Sequence, residues 1–192
     1  MQKHYHRGDR PWLPGYWVNK MIRKTEPTDI PRIAEIVVYG WRCAFREILS
    51  DEVLFSEQTV AMRIARLEKS MPENTHLSNF VYDDGLVKAA MTIGASGEKH
   101  PNALELWAIY VDPFFQRQGI GEQLLNHCEA EAAARGFREV RISTFQKNVV
   151  GRQFYEKMGY SIEGNPEYSE QRNAMMVKYL KILNRSKNLA DF

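Results

Sequence analysis

The chain has 192 residues, 44% apolar and 26% charged, enough for one ordinary domain whose core needs no disulfide or metal staple. Its 26 Lys and Arg nearly cancel 24 Asp and Glu, leaving +2 and no electrostatic footprint for a dedicated nucleic-acid binder. Two cysteines, Cys43 and Cys128, are too few for a disulfide framework and lack a C-x-x-C spacing, so both read as reduced, mostly buried thiols and no metal is expected.

The start, MQKHYHRGDR, is basic but no apolar run of about 7–15 residues follows it, and no run of about 18 apolar residues occurs anywhere. Neither export through a standard signal nor a membrane span is expected, and the protein reads as cytoplasmic. Residues 1–20 hold Gly8, Pro11, Pro14 and Gly15, which suit an irregular basic and aromatic arm that lays Trp12 or Trp17 on the domain surface. Residues 21–24 read as a short strand, after which Thr25, Pro27 and Thr28 mark a helix start.

Ile30, Ile33, Ala34, Val37, Val38 and Trp41 recur at spacings of three and four, predicting a helix with one buried face. A second helix is expected over 50–69, capped by Ser50 and docked by Val53, Leu54, Val60, Ile64 and Leu67; residues 43–49 between them are helical or a loop over a cleft. Period-two stretches at 76–82 and 86–93 flank Asp83, Asp84 and Gly85, a hairpin signal. A strand over 103–111 ends at Asp112 and Pro113. The helix over 119–135 buries Ile120, Leu124, Leu125, Cys128 and Ala132 and stops at Gly136. Then come a strand at 139–145, a helix at 149–158, a short strand at 160–163 and a closing strand at 174–180, with a polar tail over 181–192. The alternation from 103 to 145 predicts one α/β domain, residues 21–180, with a locally parallel strand pair and a right-handed crossover.

The informative segment runs from Val111 through Gln116 and Gly119 to Gly121. A strand ends and glycines open an amphipathic helix, so unpaired backbone N–H groups converge with no Cβ screening them. Such a place suits phosphate, although the same glycines would also serve a tight turn alone. The spacing matches neither the dinucleotide fingerprint nor a Walker A loop.

Here the sequence resembles the GCN5-related N-acetyltransferase (GNAT) superfamily, whose signature [Q/R]-x-x-G-x-[G/A] is met by Gln116, Gly119 and Gly121. Upstream, Glu105 to Pro113 looks like the family's fourth strand. Downstream, Asn148 to Tyr160 looks like its N-x-x-A-x-x-x-Y-x-x-x-G-[FY] segment, with Gly151 in place of the common alanine. The match covers about residues 21–180. It implies a mixed, mostly antiparallel sheet flanked by helices, with a parallel, splayed strand pair at the acyl-CoA site. It further implies that Arg117, Gln118, Gly119, Ile120, Gly121 and Glu122 take the pyrophosphate of acetyl-CoA through their backbone. Ile109 and Val111 would bond the pantetheine arm.

An amine of pKa ~10.4 is protonated in all but roughly one molecule in 10³ at pH 7, so attack on a thioester needs a proton acceptor. By the resemblance Glu105 is the best candidate for that base, as in some members of the family, acting directly or through water; the alternative is a solvated glutamate at a strand start, and Tyr110 is a weaker candidate that otherwise packs. Regular alternation puts Glu105 with Trp107 and Ile109 on one face, and Leu106, Ala108 and Tyr110 on the other. Tyr155 matches the family position that protonates the leaving thiolate or holds its charge; the alternative is an ordinary core aromatic beside Phe154. Asn148 caps the helix, reaches the cofactor arm, or does both, and a fourth-strand N–H would meet the oxyanion. Neither cysteine reads as a nucleophile, so direct transfer in a ternary complex is expected.

Trp41, Phe45 and Trp107 would wall an acceptor pocket or pack in the core, with Arg42, Arg46 and Glu47 near the same edge. The expected acceptor is a primary amine of a small metabolite, polyamine or peptide; no nucleic-acid or membrane partner is expected, and a homodimer is admitted. Alternatives are a non-catalytic acyl-CoA-binding regulatory domain and a transferase with another acyl donor or acceptor.

Overall fold

The computed structural model describes residues 21–183. The N-terminal arm expected over 1–20, with Trp12 and Trp17, and residues 184–192 of the expected tail lie outside the described residues. Strands β1 (Ile22–Lys24), β2 (Leu77–Asp83), β3 (Val87–Ala95), β4 (Ala103–Val111), β5 (Glu139–Phe145), β6 (Ser161–Ser169) and β7 (Ala174–Ile182) form one sheet in the order β1-β2-β3-β4-β5-β7-β6. All neighbours are antiparallel except β4 and β5, which pair in parallel.

Helices α1 (Ile30–Phe45) and α2 (Val60–Glu73) cover one face, and α3 (Ile120–Ala134) and α4 (Val149–Lys157) the other. The sheet therefore has a core on each side. Ile33, Val37 and Trp41, spaced by whole turns of α1, pack with Val81, Ala90 and Phe145. Leu124, Leu125 and Cys128 of α3 pack with Leu104, Leu106, Val140 and Ile142. Each fully buried Leu or Ile contributes about 1.5–3 kcal/mol, so the two cores fix the position of β4 between them.

Four expectations are corrected. The helix expected over 50–69 is interrupted: a π-helical segment (Glu52–Glu57) precedes α2, which starts only where Thr59 Oγ1 accepts from Met62 N–H at 3.3 Å. The short strand expected at 160–163 continues to Ser169, because β7 offers it a partner along most of its length. Lys181 and Ile182 belong to β7 rather than to a free tail; Lys181 Nζ donates to both oxygens of Glu129 at 2.8 Å and to the Met158 carbonyl at 2.9 Å. Cys43 is exposed, unlike Cys128, since it sits on the side of α1 away from the sheet.

Candidate active site

The parallel ladder between β4 and β5 holds only from Ala103↔Glu139 to Leu106↔Ile142, and beyond it the strands part. Asp112 N–H donates to Lys88 O at 2.9 Å, on the β3 side. Peptide groups alternate in direction along a strand, so those of Val111 and Ile109 face the gap left by β5. Gln116 confirms the direction, its Nε2 donating to Val111 O at 3.2 Å.

The glycine segment follows a short 3₁₀ turn (Pro113–Phe115), which Asp112 caps by accepting from Phe114 N–H at 2.9 Å. The other Asp112 oxygen accepts from Arg32 of α1. Arg117 (φ 63°) and Gly119 (φ 79°) both take the left-handed conformation, and Gly119 is the N-cap of α3. The first bond of α3 runs from Gln123 N–H to Gly119 O at 3.1 Å, so the helix does not use the N–H groups of Gly119, Ile120, Gly121 and Glu122. A Cβ on Gly121 would stand 3.4 Å from Phe154 Cζ, which sets how closely this helix start approaches α4. Bare N–H groups, the positive helix end and the adjacent open strand edge fit a pyrophosphate and its amide-bearing arm. The side chains of Gln116, Arg117, Gln118 and Glu122 are exposed.

On the other wall of the gap, Asn148 caps α4: its Oδ1 accepts from Gly151 N–H at 3.1 Å and its Nδ2 donates to Thr144 Oγ1 at 3.0 Å. A Cβ at Gly151 would lie 2.4 Å from that Nδ2, so the glycine keeps the cap in place and is not an indifferent substitute for alanine. Tyr155 is buried, its ring 5.8 Å from that of Tyr179 and 6.3 Å from that of Tyr160. Burial, followed by the nearby Tyr110 and Tyr179, pushes its hydroxyl well above the ordinary phenol range, so it keeps its proton.

Sequence alternation fails on β4 at one residue. Thr92 pairs with Ala108 but Ile93 with Leu106, so Trp107 is a bulge. One extra residue inverts the faces beyond it: Leu104 and Leu106 pack with Ile109 and Val111 toward α3, whereas Ala108 and Tyr110 face α1 and α2. Glu105 therefore shares its side with Tyr110 rather than with Ile109. Its Oε2 accepts from Ser96 Oγ at 2.7 Å, and it lines a cavity of about 450 Å³ with His100, Arg141 and Lys178.

A second cavity, about 400 Å³, opens between α1, α2 and the sheet. Trp41, Trp107 and Tyr110 line it, as does a set that sequence reading did not single out: Arg63, Arg66 and Arg172. Trp41 Nε1–H donates to Tyr110 Oη at 2.8 Å. Burial raises the Tyr110 hydroxyl above its ordinary range, so it too stays protonated. Phe45 packs on Trp41 and Phe145 instead of facing the cavity. Arg42 lies over Phe55 and donates to Leu54 O at 3.2 Å, and neither it nor Arg46 or Glu47 lines either cavity. Among the described residues no cluster of three His, Cys, Asp or Glu is placed to hold a metal ion, and no helix is long and apolar enough to cross a membrane.

The family model for the acetyltransferase (GNAT) family matches residues 42–160, from within α1 to just past α4, and the chain belongs to that family. Acetyl transfer from acetyl-CoA is the general activity of this class. A protein of Mycobacterium tuberculosis named a probable N-acetyltransferase is 28% identical over 152 residues, 76% of this chain and 82% of its own length. The spermidine N(1)-acetyltransferase of Thermoplasma acidophilum is 25% identical over 149 residues, 74% of this chain and 88% of its own. Among solved structures, the PaiA N-acetyltransferase of T. acidophilum in complex with coenzyme A superposes with a TM-score of 0.62 at 20% identity, covering 82% of this chain and 96% of that one. The yncA structure from Salmonella typhimurium with its cofactor acetyl-CoA gives 0.61 at 20% identity, covering 86% and 94%. These likenesses establish the GNAT fold: a mixed, mostly antiparallel sheet with flanking helices.

Proposed function

We propose that the protein is an N-acetyltransferase that moves an acetyl group from acetyl-CoA directly to a primary amine. The observation that carries this is the parted β4–β5 edge with the unused N–H groups of α3 at its mouth. The amine-acetylating relatives, and the coenzyme A and acetyl-CoA seen in structural neighbours, agree with it.

In this reading the backbone of residues 117–122 holds the pyrophosphate, and the peptide groups of Ile109 and Val111 align the pantetheine arm. Asn148 keeps α4, and thus Tyr155, at the opposite wall. The acceptor enters from the cavity beside Tyr110, and Glu105 takes its proton directly or through water. As the N–C bond forms and the C–S bond breaks, a β4 peptide N–H holds the oxyanion and the Tyr155 hydroxyl gives its proton to the departing sulfur. A thiol of pKa near 8.5 leaves without great difficulty, so Tyr155 accelerates the step but is not indispensable to it. Direct transfer also agrees with the cysteines. Burial, then the nearby Glu129, pushes the Cys128 thiol up to about 12, and exposed Cys43 lines neither cavity.

The test is thiol release from acetyl-CoA over a panel of amines and amino-terminal peptides, with the product mass measured. A product heavier by one acetyl group is expected, with kcat lowered by about 10²-fold in Glu105→Gln and about tenfold in Tyr155→Phe, both still binding CoA. Binding of CoA without any acetylated product would make this an acyl-CoA-binding domain instead.

A further inference from the structure

Several arginines of this protein have carboxylate partners. Arg23 bonds Asp29 and Asp83, Arg32 bonds Asp112 and Glu35, and Arg141 bonds Glu139 and Glu163. Arg63, Arg66 and Arg172 differ. They line the cavity of about 400 Å³ together, without a carboxylate partner among the described residues, and no Asp or Glu of the described chain lines it with them.

Arg63 is the most exacting of the three. Its Nε is out of water with no acceptor, and its side-chain partner is neutral: Gln58 Oε1, 2.6 Å from Nη2. The guanidinium carbons of Arg63 and Arg172 lie 5.7 Å and 5.9 Å from the Trp41 ring centre, so two like charges share one aromatic face system. Cation–π attraction offsets part of the desolvation of a buried cation but does nothing for the repulsion between two of them. Burial first, then Arg66, pushes the Arg63 guanidinium below its ordinary range, and Arg172 acts in the same direction. Tyr110 adds one more donor, since its oxygen already accepts from Trp41 and its own proton is left for the cavity. What is missing from this set is a negative charge with several acceptor oxygens. Guanidinium groups bind carboxylate and phosphate in a planar, two-bonded fashion.

We infer that the acceptor is a small primary amine that also bears an acidic group, carboxylate or phosphate-like, held by Arg63, Arg66 and Arg172 beside Trp41. The inference rests on the N-acetyltransferase reading and narrows it. The acid group anchors the molecule at the α2 side of the cavity and leaves its amine to approach the β4–β5 gap. A polyamine would bring positive charges against three arginines, so this cavity rejects it. The volume suits a compact metabolite.

The experiment uses matched acceptors: one amine scaffold carrying a carboxylate, a phosphonate or neither, with spermidine as the cationic comparator. Acetylation is followed by thiol release and product mass, and acceptor binding by calorimetry without acetyl-CoA. The acid-bearing amines should exceed their neutral counterpart by about tenfold or more in kcat/KM, the size of one charge-assisted hydrogen bond. The better of the carboxylate and phosphonate identifies which acid the cavity takes. Arg66→Gln and Arg172→Gln, on exposed side chains, should raise KM for the acid-bearing amines by a larger factor than for the neutral amine. Arg63→Gln should do so more strongly. Spermidine or the neutral amine reacting as well as the acid-bearing ones would overturn the inference while leaving the acetyltransferase reading intact. Binding of the acid-bearing amines that weakens in the arginine variants, with no acetylation of any amine, would uphold the anion site and sink the reaction.

Discussion

The indole N–H of Trp41 donates to the hydroxyl of Tyr110 at 2.8 Å, joining α1 to β4 inside the cavity between α1, α2 and the sheet. Gly40 makes this approach possible, since a Cβ there would lie 3.2 Å from Tyr110 Cδ1. Tyr110→Phe leaves a buried N–H without an acceptor and should cost about 1–3 kcal/mol, whereas Trp41→Phe removes the donor and should cost about 1 kcal/mol from this bond. Both should raise the acceptor KM by more than they weaken acetyl-CoA binding. Urea unfolding with paired KM measurements checks the order; equal effects on both substrates would contradict it.

Gly119 is the position where the loop opening α3 demands a glycine. At φ 79° an alanine meets its own backbone, a cost of about 1–2 kcal/mol, and relief means rotating the N–H groups that open α3. Gly119→Ala should therefore raise the KM for acetyl-CoA by about tenfold or more, with the acceptor KM nearly constant. Calorimetric titration with CoA reads the effect directly.

Acid stability is tied to Arg23. Its hydrogen bonds hold the buried Asp29 carboxyl below the usual carboxylate range. The unfolded chain thus binds the proton more readily than the folded one, and stability from this group is fully present above about pH 4 and is lost as pH falls through the depressed folded value. Arg23→Met should destabilise the protein by ~2 kcal/mol at pH 7, less than a fully buried pair because Arg23 is partly exposed. The same variant should show a shallower loss of stability between about pH 4 and pH 2, measured by denaturant unfolding at each pH.

The thiols give a test of direct transfer. A maleimide should label Cys43 in the native protein and reach Cys128 only after unfolding, since one is exposed and the other buried with its thiol pushed up to about 12. Cys128→Ala should retain turnover, at a cavity cost in stability near the low end of core truncations, about 1–2 kcal/mol. Loss of turnover in a folded Cys43→Ser protein would point instead to an acyl-enzyme.

The segments with strong local chemistry were readable in the sequence. The 103–111 strand and the 139–145 strand have the boundaries that periodicity predicts, and Gly119 and Gly136 bound α3 as their turn chemistry demands. What could not be read there is set by partners distant in the chain. Trp107 fits a regular alternation perfectly well by itself; only its pairing with β3 makes it a bulge and moves Tyr110 to the side of Glu105. The break between the π-helical segment and α2 interrupts an apolar pattern that remains continuous in one dimension. Arg63, Arg66 and Arg172 look like solvated surface charge in α2 and after β6, and their grouping comes only when those segments meet over Trp41. The one signal available beforehand was the spacing of Arg63 and Arg66, a single helical turn apart.

Helix α1 touches both halves of the site through side chains nine residues apart. Arg32 grips Asp112 where the glycine loop begins, and Trp41 grips Tyr110 in the wall of the arginine-lined cavity. A helix of this length is stiff, and it spans the two grips over about 13 Å with no joint between them. The proposed donor and acceptor sites therefore hang from a common beam. Any tilt of α1 that adjusts one of them is felt by the other, and substitutions on its sheet-facing side will disturb donor and acceptor affinity together even where they touch neither molecule.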